Sequence, residues 1–139
     1  MNKTWKVLRE EKIKLIGVDP SQSTIELLDS ILHGQKVDNL YLLAHGSSGK
    51  ISLGADNIDS NLLLKNSDII GSWSINNIHL YSCDVGQDEL FIKNLEGLTK
   101  SNIFYSSKKV GHTSCGASWD LLATYKGCKQ VCNNIVPFN

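Results

Sequence analysis

Two short apolar runs constrain this chain more than any other feature. Asn39-Leu40-Tyr41-Leu42-Leu43-Ala44 and Ile78-His79-Leu80-Tyr81-Ser82 are near-continuous and too short for core helices, the pattern of strands buried on both faces. Each stops on polar residues, the first at His45-Gly46-Ser47-Ser48-Gly49 and the second at Cys83-Asp84-Val85-Gly86. Between them Asp59 or Ser60 opens a helical stretch through Leu62, Leu63 and Leu64. Strands separated by helices cross over the sheet to pair in parallel, and open sheets of this kind gather reactive groups at the C-terminal ends of their strands. His45 and Cys83 are expected at two such ends.

The remaining elements fit the same scheme. Ile13 to Asp19 reads as a strand closed by Asp19-Pro20, because the residue before proline is pushed out of the helical region. Ser21 or Ser23 caps a helix carrying Ile25, Leu28, Ile31 and Leu32 on one face. His45 to Gly49, with two glycines and two serines, reads as a loop, and Lys50 to Ile58 as a small hairpin turning near Gly54. Cys83 precedes an amphipathic helix with Leu90, Phe91, Leu95 and Leu98. A strand at Asn102 to Ser106, a glycine-rich loop from Lys108 to Ser118 and a strand at Trp119 to Tyr125 follow. The fold class is α/β, with a mainly parallel central sheet flanked by helices. The two prolines mark no linker and no repeat is present, so residues 1–139 read as one domain.

Composition removes several functions. A chain of 139 residues buries roughly 70% of its unfolded surface and folds without metal or disulfides. Fourteen basic residues balance fourteen acidic ones and the pI is about 6.9, which leaves no electrostatic footprint for nucleic acid or an anionic membrane. Met1 to Lys14 alternates charged and apolar residues in place of a leader's apolar block, so the expected location is the cytoplasm, with leaderless export left open. The loop Gly46-Ser47-Ser48-Gly49-Lys50 is not a P-loop, since Ala44 and Ile51 stand where glycine and a hydroxyl residue are needed. Cys83 is not in a nucleophile elbow either, because Tyr81 and Val85 replace its glycines.

The chemistry open to His45 and Cys83 is acyl transfer. A thiol attacks as thiolate and needs a base or a positive dipole beside it. His45 supplies the base, and the helix after Cys83 supplies the dipole. The amides of Gly46 and Cys83, at neighbouring strand ends, form an expected oxyanion hole, where a bare glycine backbone can approach a carbonyl. The plainer readings are a turn glycine, a polar loop histidine and a small buried cysteine.

These residues resemble a known group. Leu42-Leu43-Ala44-His45-Gly46-Ser47 and Leu80-Tyr81-Ser82-Cys83-Asp84-Val85 look like the His-Gly and Cys strand ends of caspase-like cysteine peptidases, which include caspases, gingipains and legumains. With Leu53-Gly54 and Gly116-Ala117-Ser118-Trp119-Asp120-Leu121 added, the string is similar to the domain-of-unknown-function family numbered 4347, over roughly residues 13 to 124. That family often sits in large secreted bacterial adhesin-like and repeat proteins. The resemblance implies a three-layer caspase-like fold and a peptidase that acts on a peptide or protein without a cofactor, with self-processing as one form of that activity. His45 would be the base and acid, Cys83 the nucleophile, and Gly46 and Cys83 the oxyanion donors. Only twelve residues precede Ile13, fewer than such domains usually carry, so an N-terminally shortened sheet is expected. In caspase-like peptidases the first strand helps form the pocket for the residue before the cut bond. Asp120, beside Trp119, is the acidic candidate for that pocket wall and would favour a basic side chain. The alternative is a binding or assembly module that kept the sheet and lost activity.

Other polar residues have bland assignments. His79 is expected as a half-buried sheet residue, and His33 suits the negative end of a helix. Asp84 either orients His45 or caps the following helix. His112, Cys115, Cys128 and Cys132 have the ligand types of a zinc site, with disulfides or unpaired thiols as the other readings.

Overall fold

The computed structural model describes residues 16–110, 121–124 and 130–132, the last three by backbone alone. Helix α1 (Thr24–Leu32) starts at Ser23, whose side chain accepts from the Glu26 amide, and buries Ile25, Leu28 and Leu32 at helical spacing. Strand β1 (Lys36–Leu43) follows. Three short strands, β2 (His45–Ser47), β3 (Lys50–Leu53) and β4 (Asp56–Ile58), then form an antiparallel sheet of their own. Helices α2 (Ser60–Lys65) and α3 (Ser67–Gly71) lead to β5 (Ser74–Tyr81), and α4 (Glu89–Thr99) leads to β6 (Asn102–Tyr105). Strands β7 (Leu121–Ala123) and β8 (Gln130–Cys132) extend the main sheet.

The main sheet has the order β1-β5-β6-β7-β8. β1, β5 and β6 run parallel, and β7 and β8 are added antiparallel. The protein is therefore mixed α/β, with a mainly parallel sheet flanked by helices. Register sorts the side chains by face. Leu40 pairs with Ile78, Leu42 with Leu80, and Ile78 with Ile103, and these join Ile25, Leu28, Leu63, Ile70, Phe91 and Leu95 in one core. Each described helix contributes to that cluster. On the opposite face Tyr41, His79 and Phe104 lie in one row across three strands. His79 stacks on both neighbours, with centroids 4.4 and 4.5 Å away.

The small sheet is tied down by polar contacts from α1. The Thr24 amide donates to the Asp56 carboxylate at 2.8 Å, and the Thr24 hydroxyl donates to the Leu53 carbonyl. Trp73, just before β5, donates its indole N–H to Asp29 of α1 at 3.0 Å. Among the described residues, no helix is long and apolar enough to cross a membrane.

Several expectations are corrected. Of the strand read at Ile13 to Asp19, residues 13 to 15 lie outside the described residues and Ile16 to Asp19 have no regular structure. Asp19 instead turns the chain by accepting from the amide and hydroxyl of Ser21. His45 to Ser47 is not loop but strand, because Ser48 and Gly49 (φ +67°) make a two-residue turn that returns it along β3. β5 begins at Ser74, four residues ahead of the apolar run at Ile78. There Asn76 and Asn77 bond Asp38, and Asn102 bonds Asn77, so polar side chains are accommodated within the sheet. His79 is buried, not half-buried, at 3% exposure.

Candidate functional site

The ends of β1 and β5 lie side by side. Leu43 pairs with Tyr81, and the Ala44 amide reaches the Tyr81 carbonyl at 3.4 Å. His45 and Cys83 each lie two residues beyond that last pair. The chain crosses from β1 into β2 through Ala44, which carries Gly46 against the end of β5. A methyl group on Gly46 would come within 2.7 Å of the Cys83 carbonyl oxygen and 2.8 Å of the Ser82 Cβ. Only glycine fits this approach without a shift of backbone. The Gly49 amide adds a bond of 3.1 Å to the Val85 carbonyl, so the β2–β3 turn is fastened to the loop after β5.

Cys83 is partly buried and His45 is exposed. No hydrogen bond joins the His45 imidazole to the Cys83 sulfur. Sγ instead accepts the Val110 amide at 3.3 Å. The residue after it, Asp84, is left-handed (φ +62°). Its amide donates to the Lys108 carbonyl at 2.9 Å, and its carboxylate takes Lys109 at 2.8 Å and the Gln87 amide group at 3.2 Å. The hydrogen bond to Asp84, and then the charge of Asp84, hold the Lys109 ammonium above the ordinary lysine range. Asp84 therefore neither caps α4 nor meets His45.

The helix dipole expected behind Cys83 is displaced. A 3-10 turn at Val85–Gln87 intervenes, and α4 begins only at Glu89. Its first amides are taken by Asp88, which accepts from Leu90 and Phe91. Local sequence did not separate these two elements, because Asp84 and Asp88 are both plausible caps.

Beyond this turn a polar cleft of about 570 Å³ opens at the same end of the sheet. Ser48, Gln87, Asp88, Glu89, Tyr105 and Ser107 line it. Burial, followed by the negative charge of Glu89 and Glu96, raises the Tyr105 phenol above its ordinary value. Trp119 and Asp120, the expected pocket residues, lie outside the described residues. So do His112, Cys115 and Cys128 of the zinc reading, while Cys132 has a described backbone only, opposite Leu121 in the sheet. No group of three metal-ligating side chains occurs among the described residues.

Lys109 and Val110 were not singled out by sequence. Their only local signal is a place at the start of a glycine-rich loop after a strand. Their contacts with Cys83 and Asp84 span more than 20 residues of chain, a separation no periodicity encodes.

A family model matches residues 3–133, wider at both ends than the motifs themselves. The chain belongs to the family described as a domain of unknown function (DUF4347). No curated protein and no solved structure matches it. Within this DUF4347 domain, the His-Gly and Cys motifs lie just beyond the ends of two adjacent parallel strands, and the glycine of one lies against the backbone of the other.

Proposed function

We propose that this DUF4347 domain is a caspase-like cysteine peptidase, built on a three-layer caspase-like fold, that cleaves peptide bonds through Cys83 and His45. The observation that carries the reading is the seating of Gly46 on the Ser82–Cys83 backbone, which sets both motifs at one point of the sheet. His45 takes the thiol proton as Sγ bonds to the substrate carbonyl carbon. The amides of Gly46 and Cys83 receive the oxyanion, and loss of one such donor costs about 10²–10³ in rate. Collapse breaks the C–N bond, with His45 returning the proton to the leaving amine. Water then hydrolyses the thioester, which releases the acid and restores the thiol. The cleft lined by Glu89 and Tyr105 offers space for a substrate side chain, and self-processing is one outcome of the same chemistry.

A second reading is a binding or assembly module without activity. The missing hydrogen bond between imidazole and sulfur favours it, although such bonds often tighten only when substrate is bound.

Incubation of the protein with a diverse peptide library, with products mapped by mass spectrometry, tests the peptidase. Wild type is expected to cut a defined subset of peptides, and folded Cys83→Ala and His45→Ala proteins are expected not to. Cleavage retained by Cys83→Ala, or none by folded wild type, overturns the reading in favour of the module.

A further inference from the structure

We propose that Lys109 is a positioning residue for Cys83, acting through a strap of chain, residues 106–110, that holds the thiol in place. The proposal rests on the reading of Cys83 as a nucleophile and adds to it a residue that holds the sulfur in place.

The strap is fastened to the Cys83 loop at both ends. At one end the Gly86 amide donates to the Ser106 carbonyl at 2.9 Å. At the other the Val110 amide donates to Cys83 Sγ at 3.3 Å. Between them the Asp84 amide donates to the Lys108 carbonyl, and Lys109 Nζ donates to the Asp84 carboxylate. Within the strap the Ser106 hydroxyl bonds both the amide and the carbonyl of Lys108, at 3.0 and 3.1 Å. Asp84 keeps a left-handed backbone, a conformation that persists in a non-glycine residue when its surroundings over-determine it. Here the surroundings are the strap.

The consequence for the sulfur is geometric. The Val110 amide donates to Sγ at 3.3 Å and the thiol faces the Val110 carbonyl at 3.9 Å, so one residue of the strap fixes where the sulfur sits. Lys109 fastens the strap to Asp84, the residue next to Cys83, at 2.8 Å. The pair is part-exposed, with the Lys109 side chain 66% accessible and that of Asp84 19%, so its effect is modest. Such a lysine can be changed without disturbing the core.

The experiment compares the rate at which iodoacetamide alkylates Cys83 in the full chain, read peptide by peptide at one pH, for wild type, Lys109→Met and Lys109→Arg. Lys109→Met is expected to slow Cys83 by about two- to five-fold, the range of an exposed pair. Lys109→Arg, which keeps charge and reach, is expected to restore the wild-type rate. An unchanged or faster rate in Lys109→Met, or an equal fall in both variants, overturns the proposal. Alkylation needs no substrate, so a Lys109-dependent rate without peptide cleavage would remove the peptidase and leave the strap. Cleavage with a Lys109-independent rate would do the reverse.

Discussion

Gly46 and Cys83 are in backbone contact: a Cβ on Gly46 would stand 2.7 Å from the Cys83 carbonyl oxygen. The same position would crowd Ser82 Cβ and Val85 Cγ2 at 2.8 and 2.9 Å, so no flexible side chain can simply move away. Gly46→Ala is expected to destabilise the fold by about 1–3 kcal/mol, the usual cost of forcing an extra carbon into packed structure. Urea denaturation checks this, and a variant as stable as wild type would mean that the two strand ends are not in contact.

Ser82, the neighbour in that contact, has a hydroxyl with no hydrogen-bond partner among the described residues at 1% exposure. A buried polar group without a partner costs about 1–3 kcal/mol, so its removal relieves the fold. Ser82→Ala is expected to be neutral to about 1 kcal/mol more stable by chemical denaturation. A clear loss of stability would indicate an internal partner for the hydroxyl.

His79 gives the fold a pH dependence. Burial lowers its pKa from 6.5 to about 4, and the ring sits between Tyr41 and Phe104 with Nε2 3.0 Å from the Asn39 side-chain oxygen. The unfolded chain thus binds this proton before the folded one does. The stability contributed is whole above about pH 6.5 and declines as pH falls towards 4, with no further loss from this group below that. Between pH 7 and 5 the loss amounts to about 2 kcal/mol. Denaturation of wild type and His79→Phe at both pH values should show this component in wild type alone, and equal losses in the two proteins would assign it to other groups.

Asp88 sets the start of α4, with its carboxylate accepting from Leu90 and Phe91. Asp88→Ala is expected to cost about 1 kcal/mol in thermal or chemical unfolding, the typical value of an N-cap. A neutral result would place the stability of this helix in the burial of Phe91, Ile92 and Leu95 alone.

Much of this fold is legible in the chain, for reasons that can be named. α1 and α4 declare themselves by helical spacing, Leu40–Leu43 and Ile78–Tyr81 by continuous apolar character, and the β3–β4 hairpin by Gly54. What was not legible depends on partners distant in sequence. β2 was hidden because Gly46 and the serines score as loop, and only pairing with Ile51 and its neighbours makes them a strand. The early part of β5 was hidden because Asn76 and Asn77 are polar, and only Asp38 and Asn102 satisfy them. At the site, the crossover between β1 and β5 made the two strands parallel and so put His45 and Cys83 at one end of the sheet, while their adjacency is a finding of the structure. The strap at Lys109 and Val110 followed from nothing local, since an ion pair and an amide-to-sulfur bond carry no sequence period.

The most direct test of the account is the rate at which iodoacetamide modifies each cysteine below pH 7, in wild type and in His45→Ala. Cys83 is expected to react far faster than Cys115, Cys128 or Cys132, and to lose most of that advantage when the imidazole is removed. Equal rates for all four cysteines, unchanged by His45→Ala, would contradict a thiol activated between these two strands.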